Sequence, residues 1–310
     1  MKHKTAPSIA GLLLALLFAH CSRPGQNLMP QSGPRAGTLQ QTKTRTLPTG
    51  FEKYWYTGTA EITSYDLKQE RYGEIRQGSA VTIFVTEDFN PKKQVKADAP
   101  AQGNIPVLKL NLTKKFNTGI YPYSIMTSTF SPVQQKLHPL KITHSTQEWC
   151  GQVFMQLNNR DRFEIASRSY FEREADTVLQ LKKTWLEDEF FNLIRINPEE
   201  LPTGAVSVLP SFEAIRVRHR PIAAQQANAS LKTDGPISRY SVVYPALQRE
   251  LVVYFSTEFP FKIEKWEETN AGSTGAAPLK TVATRAKRIN TAYWQQNSNA
   301  YAHLRDTLGL

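Results

Sequence analysis

The sequence predicts a mainly β protein: a meandering antiparallel sheet, curved or open-barrel in form, with one or two short helices. Three observations carry this. Short segments alternate apolar and polar residues, glycines and prolines break them at close intervals, and long runs at helical spacing are few.

The chain opens on an export signal. Lys2 and Lys4 precede an apolar run of 11 residues, Ile9 to Ala19, which ends at Phe18-Ala19-His20-Cys21. A run of roughly 7–15 residues suits a signal peptide, whereas a membrane span needs about 18 or more. Residues 1–20 therefore read as a lipoprotein signal peptide and Cys21 as the lipid attachment site. Ala19 fits a lipobox; Phe18 and His20 depart from it. An ordinary signal with secretion to the periplasm is the alternative. Each buried CH₂ of an acyl chain adds about 0.8 kcal/mol, so a lipidated Cys21 stays on the membrane. Ser22 in place of Asp resembles Gram-negative lipoproteins sorted to the outer membrane, and that resemblance, with no acidic pair after Cys21, implies its periplasmic face. Residues 21–50 read as a disordered basic tether, with Pro24, Pro30, Pro34, Pro48, four basic residues and no acidic ones.

The β-rich domain runs over 51–310. Val81, Ile83 and Val85 alternate with Thr82, Phe84 and Thr86, and Leu108, Leu110 and Leu112 with Lys109, Asn111 and Thr113. Successive strand side chains face opposite ways, so each pattern marks one buried face. Ile215 and Val217 alternate with Arg216 and Arg218 and read as another strand carrying a basic stripe through Arg220, suited to lipid phosphates or to plain solvent. Leu251 to Phe255 is continuously apolar and reads as a strand covered on both sides. Roughly ten to thirteen strands are expected. Helix signals are confined to Thr177–Ile194 and to a C-terminal stretch near 295–307. Residues 269–278 read as a hairpin loop between strands near 261–267 and 279–288.

Composition narrows the function classes. The chain has 310 residues and a net charge of +11; removing Lys2 and Lys4 leaves 36 basic and 27 acidic residues. About 290 residues can bury a large core. An exported basic protein meets anionic lipid rather than nucleic acid, and its charge also serves solubility. No transmembrane span, metal-ligand spacing such as HxH, phosphate loop, nucleophile elbow or dinucleotide fingerprint occurs, and no cofactor is expected.

Candidate sites are therefore weakly marked. Cys150 lies in Gln147-Glu-Trp-Cys-Gly-Gln152. If residues 144–157 form one strand, His144 lies about 20 Å from Cys150, at about 3.3 Å per residue, too far for a Cys–His pair. Only His138 or His219, approaching through the fold, offers a partner. A buried, inert Cys150 is the expectation. Glu148 and Gln152 share a polar face that would line an open barrel or meet solvent. Tyr121 and Tyr123, in an aromatic segment with Gly119 and Pro122, would grip a ligand or partner, or pack as a turn. The acidic groups Glu87-Asp88, Glu187-Asp188-Glu189 and Glu267-Glu268 read as solvated charge near turns or an exposed helix.

Arg71-Tyr-Gly-Glu74, Val85-Thr-Glu-Asp-Phe89, Gln94-Val-Lys-Ala-Asp98, Gly119-Ile-Tyr-Pro-Tyr-Ser124, Gln147-Glu-Trp-Cys-Gly-Gln152 and Leu201-Pro-Thr-Gly204 resemble blocks of uncharacterised, β-rich bacterial envelope lipoproteins. That group is sometimes labelled "septum formation inhibitor Maf". True Maf proteins are cytoplasmic nucleotide pyrophosphatases with a Ser-Pro-Arg-Arg motif, which this chain lacks. The resemblance supplies no catalytic residues. The export signal and the curved β-sheet together lead to the expectation of a non-enzymatic, membrane-anchored periplasmic protein that holds an apolar or lipid-like ligand or docks an envelope partner. The alternatives are an envelope hydrolase using Cys150 or a carboxylate pair, and a structural or assembly module without a ligand.

Overall fold

The structure is a computed structural model and describes residues 43–271 and 278–310. The signal peptide, Cys21 and most of the expected tether and 269–278 loop lie outside the described residues.

Sixteen strands form one sheet among the described residues. In chain order they are β1 (Ala60–Arg71), β2 (Glu74–Asn90), β3 (Val95–Lys96), β4 (Ile105–Thr118), β5 (Tyr121–Pro132), β6 (Lys141–Glu148), β7 (Gly151–Asn159), β8 (Phe163–Ser169), β9 (Thr177–Leu181), β10 (Trp185–Leu186), β11 (Gly204–Leu209), β12 (Gln225–Asp234), β13 (Ile237–Tyr244), β14 (Arg249–Ser256), β15 (Ile263–Thr269) and β16 (Lys280–Thr291). Among the described residues four α-helices accompany them: α1 (Phe51–Trp55), α2 (Phe190–Ile196), α3 (Phe212–Val217) and α4 (His303–Leu308).

The sheet order is β10-β11-β12-β13-β14-β15-β16-β1-β2-β4-β5-β6-β7-β8-β9, with β3 beside β2. Every pairing is antiparallel except β10 with β11. The first strand thus sits mid-sheet, zipped to the last from Ala60↔Thr291 to Lys68↔Val282. The border strands β9 and β10 are joined by residues 182–184 alone. Four Cα steps span at most about 14 Å, so the sheet must curl until its borders nearly meet. This is the curved, open-barrel sheet that the alternation predicts.

Helix α2, Phe-Phe-Asn-Leu-Ile-Arg-Ile, has all seven residues buried. A helix buried on every side belongs inside a core, and α2 fills the hollow of the sheet, with its two polar residues, Asn192 and Arg195, bonded to internal partners. Phe190 packs edge-on to Tyr240 at 5.3 Å and Phe191 to Trp266 at 5.4 Å. Asn192 Nδ2 donates to the Leu108 carbonyl of β4 at 2.7 Å. Burying each phenylalanine contributes about 1.5–3 kcal/mol.

β1 is covered on both faces. Tyr65 and Leu67 join the central core, while Ala60 and Ile62 pack outward with Leu308. On β2, Phe84 faces the core; Val81, Ile83 and Val85 face outward with Trp294 and Leu310. The alternation at 81–85 is therefore real, yet its apolar side meets the C-terminal segment. Leu108 and Leu110 face the core as expected, and Leu251, Val252, Val253 and Phe255 are all buried.

Several expectations are corrected. Thr177–Ile194 is not one helix. Thr177–Leu181 is an extended border strand, Trp185–Leu186 another short strand, and Glu187–Glu189 a 3-10 turn, with α-helix only from Phe190. Leu179 and Leu181 are two apart, which suits a strand. Conversely, 212–217 is helical, because the Ser211 side chain caps it by accepting from Ala214 N at 3.2 Å. Phe212 and Ile215 enter one core cluster and Val217 another, so two buried sides mimic strand alternation. Residues 144–157 are a hairpin turning at Trp149-Cys150. The expected tether ends early: Thr44 bridges to Gln135, and buried Arg45 donates to the carbonyls of Pro132 and Val133 at 2.6 and 2.9 Å. The C-terminus forms two 3-10 turns and α4 instead of one helix.

Candidate functional site

Two arrangements stand out: a buried ionic network inside the sheet and an aromatic rim at one end of it.

The network lies under α2 and α3. Arg249 of β14 grips Glu187 with two hydrogen bonds, 2.5 and 2.7 Å, and reaches Glu268 of β15 at 2.9 Å. Tyr244 donates to Glu187 at 2.6 Å. Lys114 of β4 meets Glu213 of α3 at 2.7 Å and Glu268 at 3.4 Å. Phe212 N donates to Asp188 at 3.0 Å. Burial pushes Asp188 up to about 7, against the Phe212 hydrogen bond and with help from Glu187 and Glu213. Burial would raise Glu268 too, but Lys114 and Arg249 outweigh it and hold its carboxyl down at about 2. The cavity among these groups measures about 40 Å³. That holds a water or two and no acyl chain. The acidic residues expected as solvated charge are thus largely structural: Glu187 and Glu189 are buried, and so are Glu87 and Asp88.

A second buried pair fastens α2 to β1. Arg195 donates to both oxygens of Glu61, at 2.5 and 2.8 Å, and stacks on Trp55 and Phe84. Burial alone would raise Glu61, yet Arg195 brings it to about 2.

The rim follows from the topology. In an antiparallel meander alternate connections fall at the same end. The β1–β2, β4–β5, β6–β7 and β8–β9 turns share one end of the sheet. Each carries a large apolar residue in solvent: Tyr72 is 56% exposed, Ile120 81%, Trp149 67% and Tyr170 77%. They are linked by contact. Tyr72 and Tyr123 share a 2.9 Å hydrogen bond, Tyr121 stacks on Trp149 at 6.2 Å, and the Tyr170 ring lies against Gly151. Beneath them buried Arg71 stacks under Tyr72 at 4.1 Å and donates to Tyr72, Tyr123 and the Val217 carbonyl. Tyr121 therefore sits at the rim, half-buried. Tyr123 is buried, so it supports the rim and does not face a partner.

The remaining sequence candidates separate. Arg216 is buried, stacked on Phe171 at 4.2 Å and 3.6 Å from Glu148. Arg218, ion-paired with Glu70, lines a cleft of about 220 Å³ with Arg220 and Leu247. The basic stripe does not exist, because Arg216 is buried on a helix that ends at Val217, and Arg218, just beyond it, turns to Glu70. Gln152 is exposed beside the turn.

No protein-family model matches this chain. No curated protein matches it either. Among solved structures it is similar to the crystal structure of a β-barrel-like protein of a domain of unknown function, DUF1849, from Brucella abortus. That similarity has 9% identity and a TM-score of 0.44, covering 74% of this chain and 97% of that one.

Cys150 is exposed, against the expectation of burial. Its backbone N–H donates to Glu148 at 2.6 Å, and the hydrogen bond and charge of Glu148 push the thiol up, away from thiolate. None of the described histidines pairs with it. His144 is buried between Thr127 and Thr146, each at 2.9 Å, and burial drives it down to about 3. His219 is held by Glu174 at 2.6 Å and Arg216 at 3.4 Å. His138 lies at the opposite end, on the β5–β6 connection. The arrangement suits a surface thiol better than a nucleophile.

Proposed function

We propose that this chain is a non-enzymatic, membrane-anchored periplasmic lipoprotein of the β-rich envelope type, held through Cys21, that docks an envelope partner protein through its aromatic rim. The observation that carries this is the exposure of Tyr72, Ile120, Trp149 and Tyr170 on neighbouring turns at one end of a filled sheet. Exposed aromatics on a rigid frame offer contact area at small entropic cost. The fold also suits ligand binding in general, but a 40 Å³ interior cavity favours docking over carrying an acyl chain.

The test is photocrosslinking in intact envelopes of the full chain carrying a benzophenone residue at Trp149 or Tyr170. A discrete protein adduct is expected at both positions and none from a control at exposed Arg160 on the opposite end. Adducts to lipid alone, or none, would overturn docking. In the same cells Cys21→Ser should abolish palmitate labelling and release the chain from the membrane fraction; unchanged partitioning would overturn the anchor.

A further inference from the structure

A cleft of about 410 Å³ lies at the end opposite the rim. It has room for roughly a dozen water molecules, at about 30 Å³ each. Its lining brings together the first described residues, the β5–β6 connection and the seam between the sheet borders. The charged groups in it are Arg45, Lys136, His138, Lys183, Glu189, Glu199 and Glu200, with Leu137, Trp185 and Leu193 as apolar wall.

Most of these charges are committed. Glu200 takes Arg45 at 2.7 Å and Lys136 at 3.1 Å. Glu189 accepts from Leu186 N at 2.8 Å and holds His138 Nδ1 at 2.9 Å. The His138 ring is clamped edge-on by Phe163 at 5.5 Å and Trp185 at 5.3 Å. Two groups remain. Among the described residues, His138 Nε2 has no hydrogen-bond partner and Lys183 no carboxylate partner. Lys183 stands close enough for its charge to act on the imidazole.

A carboxylate on one ring nitrogen fixes the tautomer and leaves the other nitrogen free to act. With Nδ1–H given to Glu189, Nε2 carries a proton only as imidazolium. An anion at Nε2 is therefore bound together with that proton. Glu199, the remaining carboxylate of the lining, opposes a second negative charge.

We propose that this cleft is a proton-linked binding site for a small monocarboxylate with an apolar body, its carboxylate between His138 Nε2 and Lys183 Nζ and its body against Trp185. Burial works against protonating His138, but Glu189 prevails and raises its pKa above the ordinary imidazole value, which favours the competent form. Anion binding raises it further.

The site is tested by titrating the mature chain with benzoate, hexanoate and inorganic phosphate while following the His138 imidazole resonances. Saturable shifts with both carboxylates are expected, with an upward move in the His138 pKa. Affinity should weaken about tenfold per pH unit above that pKa. Lys183→Met, a change at an exposed residue, should weaken binding several-fold without altering the unfolding midpoint, and His138→Gln should remove the pH dependence. Absence of a saturable shift, binding that His138→Gln leaves pH-dependent, or phosphate outcompeting the carboxylates would overturn the proposal.

Discussion

At the scale of single residues, the decisive feature is that charge is used inside the sheet. Asp188 and Glu268 share one cavity yet move in opposite directions, up to about 7 and down to about 2. The difference is partnership. Glu268 meets two cations, whereas Asp188 accepts one backbone N–H and faces two carboxylates. The pH consequences are opposite in sign. Asp188 has a folded pKa above its unfolded value, so its contribution is complete below about pH 4 and is lost as pH rises through about 7. Glu61 and Glu268 contribute above the ordinary glutamate range and lose it as pH falls towards 2. Asp188→Asn, a neutral replacement of the same shape, should therefore remove the decline in stability from about pH 4 to about pH 8. At the upper end it should be more stable than the unchanged chain by as much as about 4 kcal/mol. Urea unfolding across that range checks this, and an unchanged profile would refute it. None of these shifts was legible in the sequence. Glu187-Asp188-Glu189 reads as a solvated patch, because nothing in the triplet reveals that Arg249, some 60 positions on, comes to meet it.

At the scale of elements, Gly78 shows how tightly the long strands pair. It lies in β2 opposite Phe116 of β4. A Cβ there would sit 2.2 Å from the Lys115 carbonyl oxygen and 2.8 Å from Phe116 Cβ. The obstacle is backbone, so the strands themselves must part. Gly78→Ala should destabilise by about 1–3 kcal/mol, read as a fall in the urea midpoint; a midpoint within error of the parent would show that β2 yields freely. Strand existence was legible wherever alternation met one core, as at Leu108–Leu112. It misled at 215–218, where a short helix is buried on two sides. Ile215 and Val217 alternate because α3 lies between two clusters, and α2 was hidden inside a longer stretch whose leucines belong to strands. Cys150 was misplaced for a related reason: Trp149-Cys150 is a hairpin tip within residues otherwise patterned as one strand. The aromatic rim was half visible, through Tyr121, while its other members needed the topology to be brought together.

At the scale of the whole molecule, β16 is the keystone of the topology. It alone joins β15 to β1 and so unites the halves of the sheet. The chain must close a loop of more than 200 residues to form that pairing, which makes folding slow. A chain ending at Ala271 should lack the near-UV circular dichroism of the complete protein, because β1 and β15 are both left as bare edges and the outer cover from Trp294 to Leu310 is gone. Native-like spectra from that truncation would show that the halves are independent. The mainly β class and the curl of the sheet were legible from turn signals and strand spacing. The closure was not, since contacts between residues 60–68 and 282–291 leave no trace in local pattern.

The clamp of Arg45 on Pro132 and Val133 has a mechanical consequence. It places the entry of the chain at the opposite end of the sheet from the aromatic rim. Under the proposed anchoring and docking, a load between the N-terminus and a partner at the rim would run along the strands. The ladder hydrogen bonds then lie across the line of pull and share the force as a shear joint, with β4 and β5, at 14 and 12 residues, among the longest members. A molecule loaded this way resists as a strut; had the chain entered at the rim, the same force would have peeled it open one bond at a time.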